Sequence, residues 1–186
     1  MRQPKHFPNY TLQDYELWEG DWELIEGIPY SMSPSANSRH QLLATNLILQ
    51  IGDYLNTKNT KCNCMLVFEL DWRIDLNTVV RPDIAIVCEP IGQFIDKVPV
   101  LIVEILSKAS AYADRIIKNE LYAQQGVKFY IVIDPLSDEY RAYELVNQKY
   151  QPKQDPNSFQ LTASCRLQVD FDLALTESKR WINPGA

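Results

Sequence analysis

Two runs decide the fold: Val79-Val80-Arg81-Pro82-Asp83-Ile84-Ala85-Ile86-Val87-Cys88 and Val98-Pro99-Val100-Leu101-Ile102-Val103-Glu104-Ile105-Leu106-Ser107. Each is short, apolar, rich in β-branched residues and bounded by proline or polar clusters, as expected of a strand buried on both faces. Each also carries one carboxylate. Side chains along a strand alternate between faces, so Glu104 shares its face with Ile102 and Leu106, while Leu101, Val103 and Ile105 line the other. An ionised carboxylate among apolar neighbours costs roughly several kcal/mol unless a cation or hydrogen-bond donors meet it. Glu104 therefore marks a site.

Downstream of these runs, the pattern predicts a helix over residues 111–125, stopped by Gly126, with Ile117 and Leu121 facing the core. Asp114, Lys118 and Tyr122 follow one another at i, i+4 on that helix. Lys128 to Pro135 reads as a strand, and the strand–helix–strand passage implies a right-handed parallel crossover. Residues 140–146 and 149–152 read as a hairpin about Asn147-Gln148. Beyond it lie a weaker strand near Phe159-Gln160-Leu161 and a Phe171–Leu175 segment.

Upstream, Thr11 with Asp14 three residues on is a capping signature for a short helix over Leu12–Trp18, closed by Gly20. Trp22 to Met32 reads as two strands about the turn at Glu26-Gly27, and Ser33–Ser38 as a polar loop ending in N-cap residues. Residues 39–55 form an amphipathic helix with Leu43, Leu47 and Ile51 on its apolar stripe and His40 in its first turn, off that stripe. One strand is then expected over Met65–Ile74, joined by Asp75–Thr78 to an antiparallel neighbour carrying Asp83. Residues 89–97 read as a polar connection with one turn of helix. The succession is αβββαβ, with a mixed central sheet flanked by helices.

The bulk composition narrows the classes. At 186 residues the chain suits one domain over 1–186, with a core over about 10–150 and a C-terminal extension over 151–186. Hydrophobic residues at 46% and charged residues at 23% exclude wholesale disorder. No apolar run of about 18 residues exists, so no membrane span is expected. The opening Met1-Arg2-Gln3-Pro4-Lys5-His6 lacks the apolar core of a signal peptide, which points to the cytoplasm. A net charge of −6 argues against broad binding to phosphate backbones, though not against a metal-dependent enzyme with acidic residues round its ion. The four cysteines, Cys62, Cys64, Cys88 and Cys165, show no zinc-finger spacing and read as structural thiols, Cys88 as a small buried hydrophobe.

Adjacent antiparallel strands would bring Asp83 and Glu104 within reach of one ion. Two carboxylates with the Ile105 carbonyl suit Mg²⁺ or Mn²⁺, hard cations that prefer oxygen. A nearby lysine would stabilise charge developing on a phosphate. Bland readings stand beside each of these: Asp114 and Lys118 as a solvated helix pair, Asp83 as a strand-entry residue, His40 facing solvent or the helix dipole, and Glu26 as a turn residue.

Arg81-Pro82-Asp83 followed by Val103-Glu104-Ile105-Leu106-Ser107 resembles the Uma-type branch of the PD-(D/E)XK restriction-endonuclease-like superfamily. Asp114, Lys118 and Tyr122 at helical spacing, Gly126-Val127, Asp134-Pro135, and the upstream Glu26-Gly27, Ser33-Pro34 and His40 fit the same branch. The resemblance implies a metal-dependent endonuclease acting on nucleic acid, DNA in particular, with a homodimer among its expected assemblies. It implies Asp83 and Glu104 as metal ligands, Lys118 as the catalytic lysine, and Glu26 and His40 in support. The superfamily lysine belongs two residues after Glu104, where this chain has Leu106, and the Uma-type branch moves it to the following helix. Lys108 is a rival for that role, since it would share Glu104's face if the strand ran on. A non-catalytic binding module on the same fold and a small-molecule hydrolase reusing the site are the competing functions.

Overall fold

The computed structural model describes residues 9–32, 37–58, 62–107 and 116–182. The first helix, α1 (Leu12–Tyr15), carries the expected capping box between Thr11 and Asp14. A hairpin follows, β1 (Trp22–Ile25) and β2 (Ile28–Ser31), and then the long helix α2 (Ser38–Asp53). Asn37 caps α2, its side chain accepting from the His40 N–H, and a π-helical turn over Tyr54–Lys58 ends it. The middle of the chain holds β3 (Met65–Phe68), β4 (Trp72–Asp75), β5 (Thr78–Val80), β6 (Ile84–Val87) and β7 (Leu101–Ile105). After α3 (Lys118–Gln125) come β8 (Phe129–Asp134), β9 (Glu139–Val146), β10 (Lys149–Pro152), β11 (Ser158–Thr162), β12 (Cys165–Gln168) and α4 (Phe171–Lys179).

The central sheet has six strands in the order β10-β9-β8-β7-β6-β3. Its β7–β8 pair is parallel and the other pairs are antiparallel, so the sheet is mixed. Removing β4 and β5 leaves α2-β3-β6-β7-α3-β8, the αβββαβ succession read from the sequence. Alternation along the strands divides the core. Leu101, Val103, Ile105, Phe129, Ile131 and Ile133 pack with Leu43, Leu47 and Ile51 of α2 and with Phe171 and Leu175 of α4. Ile102 and Tyr130 face the other way, onto Leu121 and Tyr122 of α3 and onto Trp72 and Val80 of a second sheet, β2-β1-β5-β4. Gly126 ends α3 at φ 84, a left-handed cap that glycine adopts without steric cost.

Two expected strands prove to be four. The Met65–Ile74 run breaks at Glu69-Leu70-Asp71, where Glu69 takes φ 47, and leaves β3 in the central sheet and β4 in the other. The Val79–Cys88 run likewise divides into β5 and β6 at Arg81-Pro82-Asp83. Pro82 offers no N–H to a ladder, so a strand interrupted there can change sheets without forfeiting a hydrogen bond. Residues 89–97 carry no helical turn; instead Ile95 bridges to Trp72 in a short parallel contact. The thiol reading also needs correcting. Cys62 is bonded to Cys165 and Cys64 to Cys88, and Cys88 is half-buried.

The C-terminal segment is a hairpin, β11–β12, followed by a helix rather than a single weak strand. Phe159, Leu161, Leu167 and Phe171 belong to the α2-side core. Among the described residues no helix is long and apolar enough to cross a membrane. The loop residues Ser33–Ala36, the start of the 111–125 helix, Lys108 and Asp114 lie outside the described residues.

Candidate active site

The β6–β7 register, with Ile84 opposite Val103, carries Asp83 to a position facing Glu104. The main chain links the two. The Asp83 N–H donates to Glu104 Oε2 at 3.4 Å, and the Ile105 N–H donates to Asp83 Oδ2 at 2.7 Å. Asp83 therefore sits where β5 gives way to β6 and the chain passes between sheets. Its carbonyl accepts from the Glu69 N–H at 3.2 Å, which ties it to the corresponding break between β3 and β4.

Helix α3 supplies the counter-charge. Lys118 and Tyr122 stand one helical turn apart, on the face that packs against the Ile102–Glu104 side of β7. Lys118 Nζ lies 3.2 Å from Glu104 Oε1, and the Tyr122 hydroxyl donates to the same oxygen at 2.7 Å. Glu104 is 2% exposed, Lys118 3% and Tyr122 0%. Burial first, and then the negative charge of Glu104, holds the Tyr122 pKa well above its ordinary value, so the phenol stays a donor.

A third carboxylate completes the group. Glu23, on β1, is buried, and its Oε1 lies 2.8 Å from Lys118 Nζ while accepting the Arg81 N–H at 2.8 Å. Arg81 is held in turn by Asp71 through Nε and by Asp21 through a terminal nitrogen, each at 2.7 Å. The Tyr15 hydroxyl donates to Asp71 Oδ2 at 3.0 Å. The residues flanking Pro82 are thus fixed from both sides before any ligand arrives.

His40 approaches Asp83 from the first turn of α2, with Nε2 at 3.4 Å from Oδ2. The ring is buried, and among the described residues its Nδ1 has no hydrogen-bond partner. Burial alone would favour the neutral ring. The hydrogen bond and charge of Asp83, helped by the Ile105 main chain and the Glu69 charge, more than offset it, so the His40 pKa lies above its usual value.

Four of the five candidates from sequence therefore come together: Asp83, Glu104, Lys118 and His40. Glu26 does not. It stands exposed at the β1–β2 turn with φ 51, and its backbone N–H reaches Thr78 Oγ1 at 3.4 Å. Glu23, three residues earlier and on the buried face of β1, occupies the place expected of Glu26. Sequence reading missed Glu23, although a glutamate between Trp22 and Leu24-Ile25 carries the same signal as Glu104: an acid inside an apolar strand.

The donor chemistry of Asp83 and Glu104, hard oxygens joined by one short main-chain bridge, suits Mg²⁺ or Mn²⁺. The buried His40 ring adds its Nε2 beside Asp83. Among the described residues, the group of three whose ligand atoms all lie within 4.8 Å of one another is Cys62, Cys64 and Cys165.

Comparisons with known proteins agree with this architecture. A solved structure described as "a putative nuclease belonging to DUF820 from Anabaena variabilis ATCC 29413" superposes with a TM-score of 0.69 at 16% identity, covering 89% of this chain and 98% of that one. At that identity the likeness establishes the fold. A looser match, at 15% identity and a TM-score of 0.32, covers 76% of this chain and 14% of a chain in the DrdV–DNA complex, and bears no weight. No curated protein matches the chain in sequence. The Uma2 family model, described as "Putative restriction endonuclease", matches residues 12–176. That span takes in α1, the site and most of α4, and the chain belongs to the Uma2 family.

Proposed function

We propose that this protein hydrolyses phosphodiester bonds in nucleic acid, with DNA as the substrate, and that Asp83 and Glu104 hold a Mg²⁺ or Mn²⁺ ion for the purpose. The observation that carries this reading is the buried contact between Lys118 on α3 and Glu104 on β7, beside Asp83. When bound, the ion would polarise the phosphate and lower the pKa of a water ligand. Every other role belongs to the chain. Lys118 places a cation where negative charge develops on the phosphoryl oxygens, and Tyr122 and Glu23 keep it and Glu104 in register. His40 and the Ile105 N–H orient Asp83. The family's description, "Putative restriction endonuclease", supports the reaction class.

The test is nicking of supercoiled plasmid by the purified chain with Mg²⁺ or Mn²⁺, its suppression by a chelator, and its absence in Asp83→Ala. A second reading, a non-catalytic nucleic-acid or protein binding module, draws support from the net charge of −6 and from Leu106 standing two residues after Glu104, where a lysine is expected. Binding of DNA with unchanged plasmid under every divalent ion tried would transfer the assignment to it.

A further inference from the structure

The chain contains four cysteines in two disulfides, and these lie side by side: three of the sulfurs cluster, and the fourth, Cys88, is bonded to one of the three. Cys62 and Cys64 lead into β3, Cys88 directly follows β6, and Cys165 opens β12. Continuing the Met65–Val87 register by one residue sets Cys64 opposite Cys88. The Cys62–Cys165 and Cys64–Cys88 bonds lie against each other, with the sulfurs of Cys62, Cys64 and Cys165 mutually within 4.8 Å. Adjacent disulfides hold several sulfurs together, as the ligands of a single ion would be held.

We propose that, once reduced, these four cysteines form a closed tetrahedral thiolate site for one Zn²⁺ ion. Tetrahedral zinc takes sulfur at about 2.3 Å, which sets neighbouring sulfurs about 3.8 Å apart. The Cα atoms of the bonded pairs lie 4.7 Å apart for Cys62–Cys165 and 3.8 Å apart for Cys64–Cys88, so on reduction each pair stays close enough to share an ion. Cys62 and Cys64 are two residues apart just ahead of β3, and their sulfurs lie within 4.8 Å of each other, as a chelating pair requires. Reduction is balanced by a thiol donor: each S–S bond accepts two electrons and two protons from a dithiol, which leaves as its own disulfide. Zn²⁺ then displaces the thiol protons to solvent. Soft thiolates select zinc over the hard ions suited to Asp83 and Glu104.

Four protein ligands leave no open position, so the site is structural. It ties the β11–β12 hairpin, which contributes Phe159, Leu161 and Leu167 to the core, to the edge strand β3 and its neighbour β6. In a reducing compartment, where disulfides do not persist, the ion would replace them as the cross-link. The site stands apart from the hydrolytic reading. Cys88 lies at the opposite end of β6 from Asp83, five residues or about 17 Å along the strand.

The experiment titrates Co²⁺ into the full-length protein after reduction and removal of metal. The expected result is one thiolate-bound cobalt per chain, read from the visible bands of tetrahedral geometry and an ultraviolet thiolate-to-cobalt charge-transfer band, both bleached by stoichiometric Zn²⁺. Asp83→Ala should leave these bands intact. Cys64→Ser and Cys165→Ser should each weaken binding by on the order of 100-fold or more, since even outer-shell changes cost 10–100-fold. The wild-type titration stands without the variants if these fail to fold. Reduced wild type that binds no cobalt, or binds it without the charge-transfer band, overturns the proposal.

Discussion

The Lys118 ammonium lies 2.8 Å from the Glu23 carboxylate, joining α3 to a strand 95 residues earlier in the chain. The same ammonium reaches Glu104 at 3.2 Å, so one buried cation serves two buried acids. Removing one partner of a buried ion pair leaves charge without compensation and costs about 3–5 kcal/mol. Lys118→Met is therefore expected to abolish plasmid nicking and to lower stability by about that amount. Adding Glu23→Gln should restore part of the stability and none of the activity. Chemical denaturation of the two single variants and the double variant measures the coupling, and additive effects would mean that the two side chains do not interact.

Glu104→Gln keeps the shape of the side chain and removes its charge. Nicking should fall by about 100-fold or more, and Mn²⁺ affinity measured by calorimetry should fall with it. Glu26→Asn, at an exposed turn whose positive φ asparagine tolerates, should leave both unchanged. Loss of nicking in Glu26→Asn would return that residue to the site.

Tyr15 gives a pH signature away from the carboxylate pair. Burial and the charge of Asp71 push its pKa up to about 12, against about 10 in an unfolded chain. The raised value means the folded state holds the proton more tightly. The associated stability is fully present below pH 10 and is lost as pH rises through about 12. The stability difference between wild type and Tyr15→Phe should shrink across that window, and urea melts at pH 9 and pH 11.5 would show it.

Phe159 tests whether the C-terminal hairpin belongs to the core. Its ring is fully buried, 5.3 Å from that of Phe129 and 6.3 Å from that of Phe171. Phe159→Ala should cost about 3–5 kcal/mol. A cost near zero in a thermal melt would mean that the hairpin contributes little to folding.

Alternation along β7 was enough to set Glu104 apart, because an acid sharing its face with Ile102 and Leu106, in a strand apolar on both faces, has no solvent to face. Helical periodicity likewise put Lys118 and Tyr122 on one face, and apolar spacing located α2. These are local signals, written within a few residues. The pairing of Lys118 with Glu23, the exclusion of Glu26 and the burial of His40 against Asp83 were not written that way. They depend on β1 joining β5 in the second sheet and on where β5 hands over to β6. The same limit hid the division of two expected strands and the pairing of four cysteines spread over about 100 residues. Side-chain periodicity records which residues avoid water; which distant segments then touch is decided by strand register and sheet order, and those exist only once the chain has folded.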